Sequence, residues 1–314
     1  MGRDYKIANK LHFVLTVILA GFTGHVNAQQ NALYSQYMFN PFSINPAYAG
    51  SRQATSAVLL YRNHWVGLDG APVSQTLSVH SPLKGKNVGL GFNVLNETIG
   101  PRSNIACFGT YAYHIALPIG KLSLGLRAGG YRLQVDEALF DFKNKSETYD
   151  NKYFTGKLIS SFDFGAYYYS NQFYSGVSIT HLVHGKNGQI NEDFLKPQIH
   201  SHLILTIGYA NAVNDWLVLK PSSMVRYMEG APINIDMNLS ALIKRTFWIG
   251  FSYRTAKDLV LISEFNLTDF IRAGYSYDFI LSEVKSYSTG SHEIFLGIDF
   301  DVRNKKTLQN PRMF

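Results

Sequence analysis

Apolar and polar residues alternate through positions 233–243, which read Ile233-Asn234-Ile235-Asp236-Met237-Asn238-Leu239-Ser240-Ala241-Leu242-Ile243. Successive side chains of a β-strand point to opposite faces, so the odd-numbered residues form an apolar face and most even-numbered ones a polar face. Residues 293–303 repeat the pattern, with apolar side chains on one face and mainly charged ones on the other. Both segments are therefore predicted to be strands that separate an apolar from a charged environment.

The whole chain contains fourteen candidate strands. They lie near residues 54–62, 73–80, 87–97, 103–117, 121–134, 161–170, 172–182, 199–211, 215–227, 231–243, 246–255, 258–266, 269–279 and 291–303. An even number of segments of about ten alternating residues, separated by turn residues, is typical of a transmembrane β-barrel. The sequence therefore predicts an all-β fold, a transmembrane antiparallel β-barrel of about 14 strands spanning residues 53–303.

The connections support this prediction, because a bacterial barrel has short turns on the periplasmic side and longer loops outside. Tight links are expected at 118–120, 170–171, 211–214, 244–245 and 267–268. Longer connections fall at 135–160, 183–198 and 280–290, whereas those at 228–230 and 256–257 are short. A soluble β-sandwich would also alternate, but many candidate strands exceed the ~5 to 6 residues usual in soluble sheets.

Charged residues of the strands are expected to face the lumen and pair there. They are Arg62, Arg127, Asp163, Asp236, Arg254, Glu264, Arg272 and Asp299. Aromatic residues near the strand ends suit either the two membrane interfaces or the interior. They are Tyr61, Tyr111, Tyr113, Tyr167, Tyr168, Tyr169, Tyr174, Trp216, Trp248 and Tyr277. Cys107 falls on the apolar face, where an inert lipid-facing thiol is expected.

Composition excludes several classes of protein. Hydrophobic residues make up 46% of the 314 residues and charged residues 16%, so a charge-dominated disordered chain is excluded. A single cysteine allows neither an internal disulfide nor a cysteine-rich zinc site. The net charge of +7 is too mild to indicate a nucleic-acid partner.

The first 28 residues have the order of a secretory signal peptide. Arg3, Lys6 and Lys10 precede an apolar stretch over 11–22, and the small-residue site Val26-Asn27-Ala28 follows it. The apolar stretch is too short to span a bilayer. We expect cleavage after Ala28. Because the mature chain is predicted to form a barrel, we expect it to lie in the cell outer membrane, surrounded by lipid.

Residues 29–52 do not alternate, and two Asn-Pro pairs divide them into turns. Here the sequence resembles the PorP/SprF family of outer-membrane proteins associated with the type IX secretion system of Bacteroidota. The resemblance rests on three ordered blocks, strongest over 35–101. They read Ser35-Gln36-Tyr37-Met38-Phe39-Asn40-Pro41 with Asn45-Pro46-Ala47-Tyr48-Ala49-Gly50, then Arg62-Asn63-His64-Trp65-Val66-Gly67-Leu68-Asp69-Gly70-Ala71-Pro72, then Gln75-Thr76-Leu77-Ser78-Val79-His80-Ser81-Pro82-Leu83. The strand Val88-Gly89-Leu90-Gly91-Phe92 and the ending Pro311-Arg312-Met313-Phe314 also look like the family.

The resemblance implies a non-enzymatic barrel that supports export by the type IX machinery or anchors secreted cargo, gliding adhesins included. Its partners would be other type IX secretion components and a secreted protein. Residues 29–52 would form a plug-like segment in the lumen or at its periplasmic mouth, the Trp65 to Pro72 stretch would lie in the first extracellular loop, and 304–314 would form a periplasmic tail. The candidate partner-binding or plug residues are Tyr37, Asn40, Pro41, Asn45, Pro46, Tyr48, Trp65, Asp69 and Pro72. Each of them could also serve only to close the barrel.

Two other functions are weighed against this one. His181, His184, His200 and His202 form two pairs that could hold a metal, but no third ligand is recognisable, and no serine has the setting of a nucleophile. The sequence therefore predicts no catalytic residue, no metal and no cofactor. A channel for small solutes is the alternative, although no small-molecule substrate is expected from the family resemblance.

Overall fold

The computed structural model describes residues 34–52, 54–135, 158–182 and 200–301. The expected signal peptide, most of the 135–160 connection, the whole 183–198 connection with His184, and the tail 304–314 lie outside these residues. The strands are β1 Ala54–Asn63, β2 Val73–Pro82, β3 Val88–Ile99, β4 Arg102–Ala116, β5 Lys121–Val135, β6 Leu158–Tyr169, β7 Phe173–Thr180, β8 His202–Tyr209, β9 Asn211–Asn214, β10 Leu217–Met228, β11 Asn234–Ile243, β12 Phe247–Arg254, β13 Asp258–Asn266, β14 Ile271–Ile280 and β15 Ser291–Asp301.

The strands form one closed antiparallel sheet. Each pairs with its neighbours along the chain, and β1 pairs with β15 over the whole of its length, from Ala54 opposite Asp301 to Asn63 opposite His292. The short β9 follows β8 after Ala210, and both pair with β10, so together they occupy one position in the ring. The prediction of a 14-strand barrel is confirmed. The prediction that residues 211–214 form a tight link is wrong, because they continue the strand beyond its last contact with β7.

Side chains alternate between the two faces of the wall as the sequence predicts, and the apolar face is outside. In β11, Met237 and Leu239 are each 54% exposed, whereas the intervening Asp236 and Asn238 are 1% and 5% exposed. Lipid can cover such an outer face, and the polar inner face packs within the lumen. A soluble β-sandwich, which would bury the apolar face, is therefore excluded. No helix among the described residues is long and apolar enough to cross a membrane.

The two ends of the barrel differ. We call the end that carries Ala54 and Asp301 the terminal end; its turns are short, at 83–87, 117–120, 170–172, 215–216, 244–246 and 267–270. The opposite end, the loop end, carries 64–72 and 281–290 as well as the β5–β6 and β7–β8 connections. This arrangement agrees with the predicted alternation of short turns and longer loops.

The structure decides between the two environments expected for the aromatic residues. Tyr61, Tyr111 and Tyr113 are exposed on the outer face, and Trp216 is exposed at the terminal end. In contrast, Tyr167, Tyr174 and Trp248 are buried in the interior. Cys107 is exposed on the outer face, as expected.

Candidate functional site

The lumen is occupied by residues 34–52, which we call the luminal segment. Near the loop end, the backbone N–H groups of Ser35 and Gln36 each donate a 2.8 Å hydrogen bond to the Glu293 carboxylate. Near the terminal end, Arg52 forms a 3.0 Å ion pair with Asp299. Both acceptors lie on β15, six residues or about 20 Å apart along the strand. The segment thus enters the described structure near the loop end and runs through the lumen to the start of β1.

Its local structure follows from the two Asn-Pro pairs. Residues Pro41–Ser43 and Pro46–Tyr48 form single turns of 3-10 helix, each with proline at its first position, where the missing N–H has no partner to lose. The Asn45 carbonyl oxygen Oδ1 accepts a 2.9 Å hydrogen bond from the N–H of Ala47. Its amide nitrogen Nδ2 donates to the backbone oxygens of Ala166 and Val177 in the wall. Asn45 therefore both starts the second turn and attaches it to β6 and β7.

Glycines in the wall leave room for the segment. A Cβ atom at Gly89 would lie 2.0 Å from the Ala49 oxygen, and one at Gly165 would lie 2.1 Å from Asn45 Oδ1. At Gly91 it would meet the ring of Phe42 at 2.3 Å. No side chain fits at these distances, so the wall and the segment are shaped to each other. The sequence holds no signal that a distant segment lies against Gly89 and Gly91.

The aromatic candidates of the segment pack into the interior. Tyr37 is buried beside the apolar cluster that includes Trp248. The Tyr48 ring makes edge contacts with His80 and Tyr167, at centroid distances of 5.5 and 5.3 Å. Its hydroxyl accepts a 3.1 Å hydrogen bond from Arg52 Nε. These contacts place both tyrosines within the lumen.

The remaining candidates of the segment also face the wall. Asn40 Nδ2 donates to Ser78 Oγ at 3.3 Å, while Pro41 and Pro46 are buried at the starts of the two helical turns. Two further contacts were not foreseen from the sequence. Arg127 Nη1 donates to the Ser43 oxygen at 3.1 Å, and Ser178 Oγ donates to the Ile44 oxygen at 2.7 Å.

A cluster of buried ions closes the loop end of the lumen. Arg62 pairs with Asp278 at 2.6 Å and with Glu293 at 2.9 Å, and Arg254 pairs with Asp236 at 3.1 Å. Arg62 Nη1 also donates to Ser35 Oγ at 2.7 Å, so the cluster includes the luminal segment. All eight charged residues expected in the lumen are buried and ion-paired, which confirms that prediction.

Trp65, Asp69 and Pro72 lie apart from the luminal segment, in the 64–72 loop. This loop is tied to residues 288–290: Val66 N donates to the Gly290 oxygen at 2.8 Å, and Thr289 N donates to the Val66 oxygen at 2.9 Å. On its other side, Gly100 N donates to the Gly70 oxygen at 2.8 Å. We call residues 64–72 and 287–290 the cap.

Within the cap, Trp65 stacks on His64 at a centroid distance of 4.3 Å, and the Pro72 oxygen accepts from His64 N at 2.9 Å. Burial, reinforced by the nearby Arg62 guanidinium, lowers the pKa of His64 to about 3, so the ring is neutral at pH 7. Asp69 is exposed. The nine candidate residues therefore separate into a luminal group of six and a cap group of three.

His181 and His202, two of the histidines weighed as metal ligands, lie among the described residues. His181 Nδ1 lies 2.9 Å from Ser161 Oγ, and the backbone N–H of His181 donates a 2.8 Å hydrogen bond to Asp163. The rings of His181 and His202 are 6.0 Å apart. Among the described residues, no group of three or more potential ligands could hold a metal ion.

A ring of antiparallel strands that is apolar outside, charged inside and closed without an edge defines the protein as an outer-membrane β-barrel. Residues 26–298 match the family described as type IX secretion system membrane protein PorP/SprF. The chain belongs to this family, and the resemblance seen in its motifs is confirmed.

Several solved barrels are similar in fold. Outer membrane protein Omp33 of Acinetobacter baumannii is 7% identical, with 80% of this chain and 99% of that chain covered and a TM-score of 0.46. The toluene transporter TbuX of Ralstonia pickettii is 10% identical, with coverages of 83% and 94% and a TM-score of 0.49. A triple mutant of the Rhodopseudomonas blastica porin is 8% identical, with coverages of 79% and 99% and a TM-score of 0.34. No curated protein matches the sequence.

Proposed function

We propose that this protein is a non-enzymatic outer-membrane component of the type IX secretion system that supports export or surface anchoring of secreted cargo, gliding adhesins included. It would act as a closed scaffold. The observation that carries the proposal is the filled lumen in a chain of the PorP/SprF family. Phe42, Ala47 and Ala49 of the luminal segment are fully buried against the wall. A solute channel would need a wetted path, which this packing does not favour.

The cap is the part of the scaffold best suited to receive cargo, provided that the loop end faces the cell exterior. Hydrogen bonds between its two stretches and to the turn at Gly100 fix its backbone, so little conformational entropy is lost when a partner binds. Within it, Leu68 and Tyr287 are 38% and 72% exposed, Asp69 follows Leu68 directly, and Trp65 lies three residues before it. Trp65 is half-buried and Tyr287 is exposed, and tyrosine and tryptophan on a fixed backbone are typical of the residues that carry binding energy in protein interfaces.

Surface display of a type IX cargo tests this role. Leu68→Asp should reduce display on intact cells by about tenfold or more, because it places a charge at the apolar contact. Leu83→Asp is the matched control, since Leu83 is 39% exposed but lies at the terminal end. Equal display in the two variants, with equal amounts of folded barrel, would show that the cap is not the contact.

Conductance in planar bilayers separates the scaffold from the channel alternative. The purified parent should not conduct steadily, whereas deletion of residues 34–50 should leave an inserted barrel with raised conductance, because the strands and their ring of hydrogen bonds follow this segment. The same deletion should stop cargo display. A parent protein that conducts as an open pore would overturn the closed scaffold.

A further inference from the structure

The hairpin between β11 and β12 has an unfavourable backbone for its residues. Lys244 and Arg245 occupy the two central positions of its turn with φ of 50° and 57°, and Thr246 N donates to the Ile243 oxygen at 3.0 Å. A turn with positive φ at both central positions strongly prefers Asn-Gly or similar pairs. Two long cationic side chains therefore stand where the local backbone favours other residues, and such conflicts are most often found at functional sites.

The neighbouring turns hold this hairpin in place. Lys244 N donates to the Trp216 oxygen at 2.7 Å, and Asn266 Nδ2 donates to the Arg245 oxygen at 3.0 Å. The first contact comes from the turn before β10 and the second from the end of β13, on the two sides of the hairpin. The cations are consequently presented from a fixed backbone at the rim of the terminal end.

A cleft of about 210 Å³ opens beside Arg245. Its apolar lining includes Val218 and Leu242, which are buried, and Trp216, which is 52% exposed. Asp215 and Arg245 supply polar groups to the same cleft. Tryptophan and arginine around an apolar depression are the side chains most enriched in the energetic centres of protein interfaces.

The charge of the terminal end indicates the kind of partner. In the described turns and the strand residues that flank them, the exposed charged side chains at this end are Lys84, Lys86, Lys121, Asp215, Lys244, Arg245 and Asp269. Five cations thus face two carboxylates. At the loop end, the corresponding side chains are Asp69, Arg102, Arg132, Glu229, Lys257, Glu283 and Lys285, which are four cations and three carboxylates. Among the described residues, the larger excess of positive charge lies at the terminal end, where it would attract an acidic surface.

We propose that the Trp216–Arg245 cleft, with Lys244, is a docking site for a partner protein that inserts an apolar side chain flanked by aspartate or glutamate. This site lies at the opposite end of the barrel from the cap and goes beyond the cargo role proposed above. The carboxylates would pair with Lys244 and Arg245, while the apolar side chain would fill the depression over Val218 and Leu242.

Photo-crosslinking in cells tests the site. A photoreactive phenylalanine analogue in place of Trp216 should form a protein adduct whose crosslinked peptide contains Asp or Glu. In the same background, K244N/R245G should reduce the adduct by about tenfold or more, although it supplies the residues that the turn prefers and should not weaken folding. K244Q/R245Q removes the charges without changing the glycine content, and it should have the same effect. The matched control is K257G, because Lys257 also has a positive φ, 67°, but lies at the loop end.

Three results would overturn the proposal: an adduct that persists in both charge-removing variants, an adduct lost equally in K257G, or crosslinks to lipid alone. Heat-modifiability of each variant shows how much folded barrel is present, and adducts are compared per folded barrel. Leu68→Asp in the cap should leave the Trp216 adduct unchanged. Failure of the cargo-display experiment and failure of this one can therefore be told apart.

Discussion

Adding one methyl group at Gly125 should disturb the luminal segment. A Cβ atom at this position would lie 2.3 Å from Ala47 N and 2.5 Å from both Ala47 Cα and Pro46 C. All three are backbone atoms, so no side-chain rotation can relieve the overlap. The segment must move away from β5, or the wall must bend.

The magnitude follows from comparison with a second glycine. In the neighbouring strand β4, a Cβ atom at Gly109 would meet nothing within 4 Å. Replacing glycine by alanine within a strand raises the free energy of unfolding by about 0.5–1 kcal/mol, and this contribution is the same at both sites. Forcing an extra carbon into a packed interior costs about 1–3 kcal/mol. Gly125→Ala should therefore be about 1–3 kcal/mol less stable than Gly109→Ala.

Unfolding in denaturant, followed by heat-modifiability of the barrel in detergent, measures that difference. Single-channel recording provides a second measurement, because a displaced segment would reopen the lumen and raise the conductance of Gly125→Ala only. The reasoning is refuted if the two alanine variants have the same stability and the same conductance, since the segment would then not lie against β5.

Other expected outcomes concern the membrane face, the ion cluster and the orientation of the barrel. Met237→Arg should destabilise the barrel by about 2–4 kcal/mol if it lies at the bilayer midplane, and Asn238→Arg, which faces the lumen, should cost less in the same denaturant assay. Arg62→Met should cost about 3–5 kcal/mol, because buried Glu293 loses its ion-pair partner and Asp278 keeps only Arg254 at 3.5 Å, and retention of wild-type stability would contradict the ion pairing. With Cys107 replaced by serine, a cysteine at Tyr287 should react with an impermeant label on intact cells and one at Ser170 should not; the reverse result would invert the proposed topology.

The strands and the direction of their faces could be predicted from the sequence because both depend on neighbouring residues. Alternation over residues 233–243 predicts a strand with Met237 outside and Asp236 inside, and the structure agrees. The fourteen positions of the ring could be counted for the same reason. The exception is local as well: residues 211–214 resemble a turn, but pairing with β10 keeps them in a strand.

The composition of the site could be predicted only in part. The motif residues from Tyr37 to Tyr48 stood out because they break the alternation, and the charged residues stood out because they fall on polar faces. Whether Tyr174 and Trp248 face lipid or interior could not be settled, since aromatic rings suit both environments. In the folded barrel both rings lie in the interior near Lys220, whose ammonium group is 5.4 Å from the Tyr174 ring centroid and 5.9 Å from that of Trp248.

The sequence by itself thus determined the architecture. Fourteen alternating segments specify a closed sheet without free edges, and this holds for any content of the lumen. The path of the luminal segment was decided only by the tertiary structure. Ser35 and Glu293 are separated by 258 positions, and the cap joins Val66 to Gly290 across a similar distance. The alternation of apolar and polar residues does not indicate such pairs, because these residues come together only when β1 pairs with β15 and closes the ring. Gly89, Gly125 and Gly165 are needed only in the closed barrel, where the luminal segment lies so close to the wall that a side chain at these positions would overlap it.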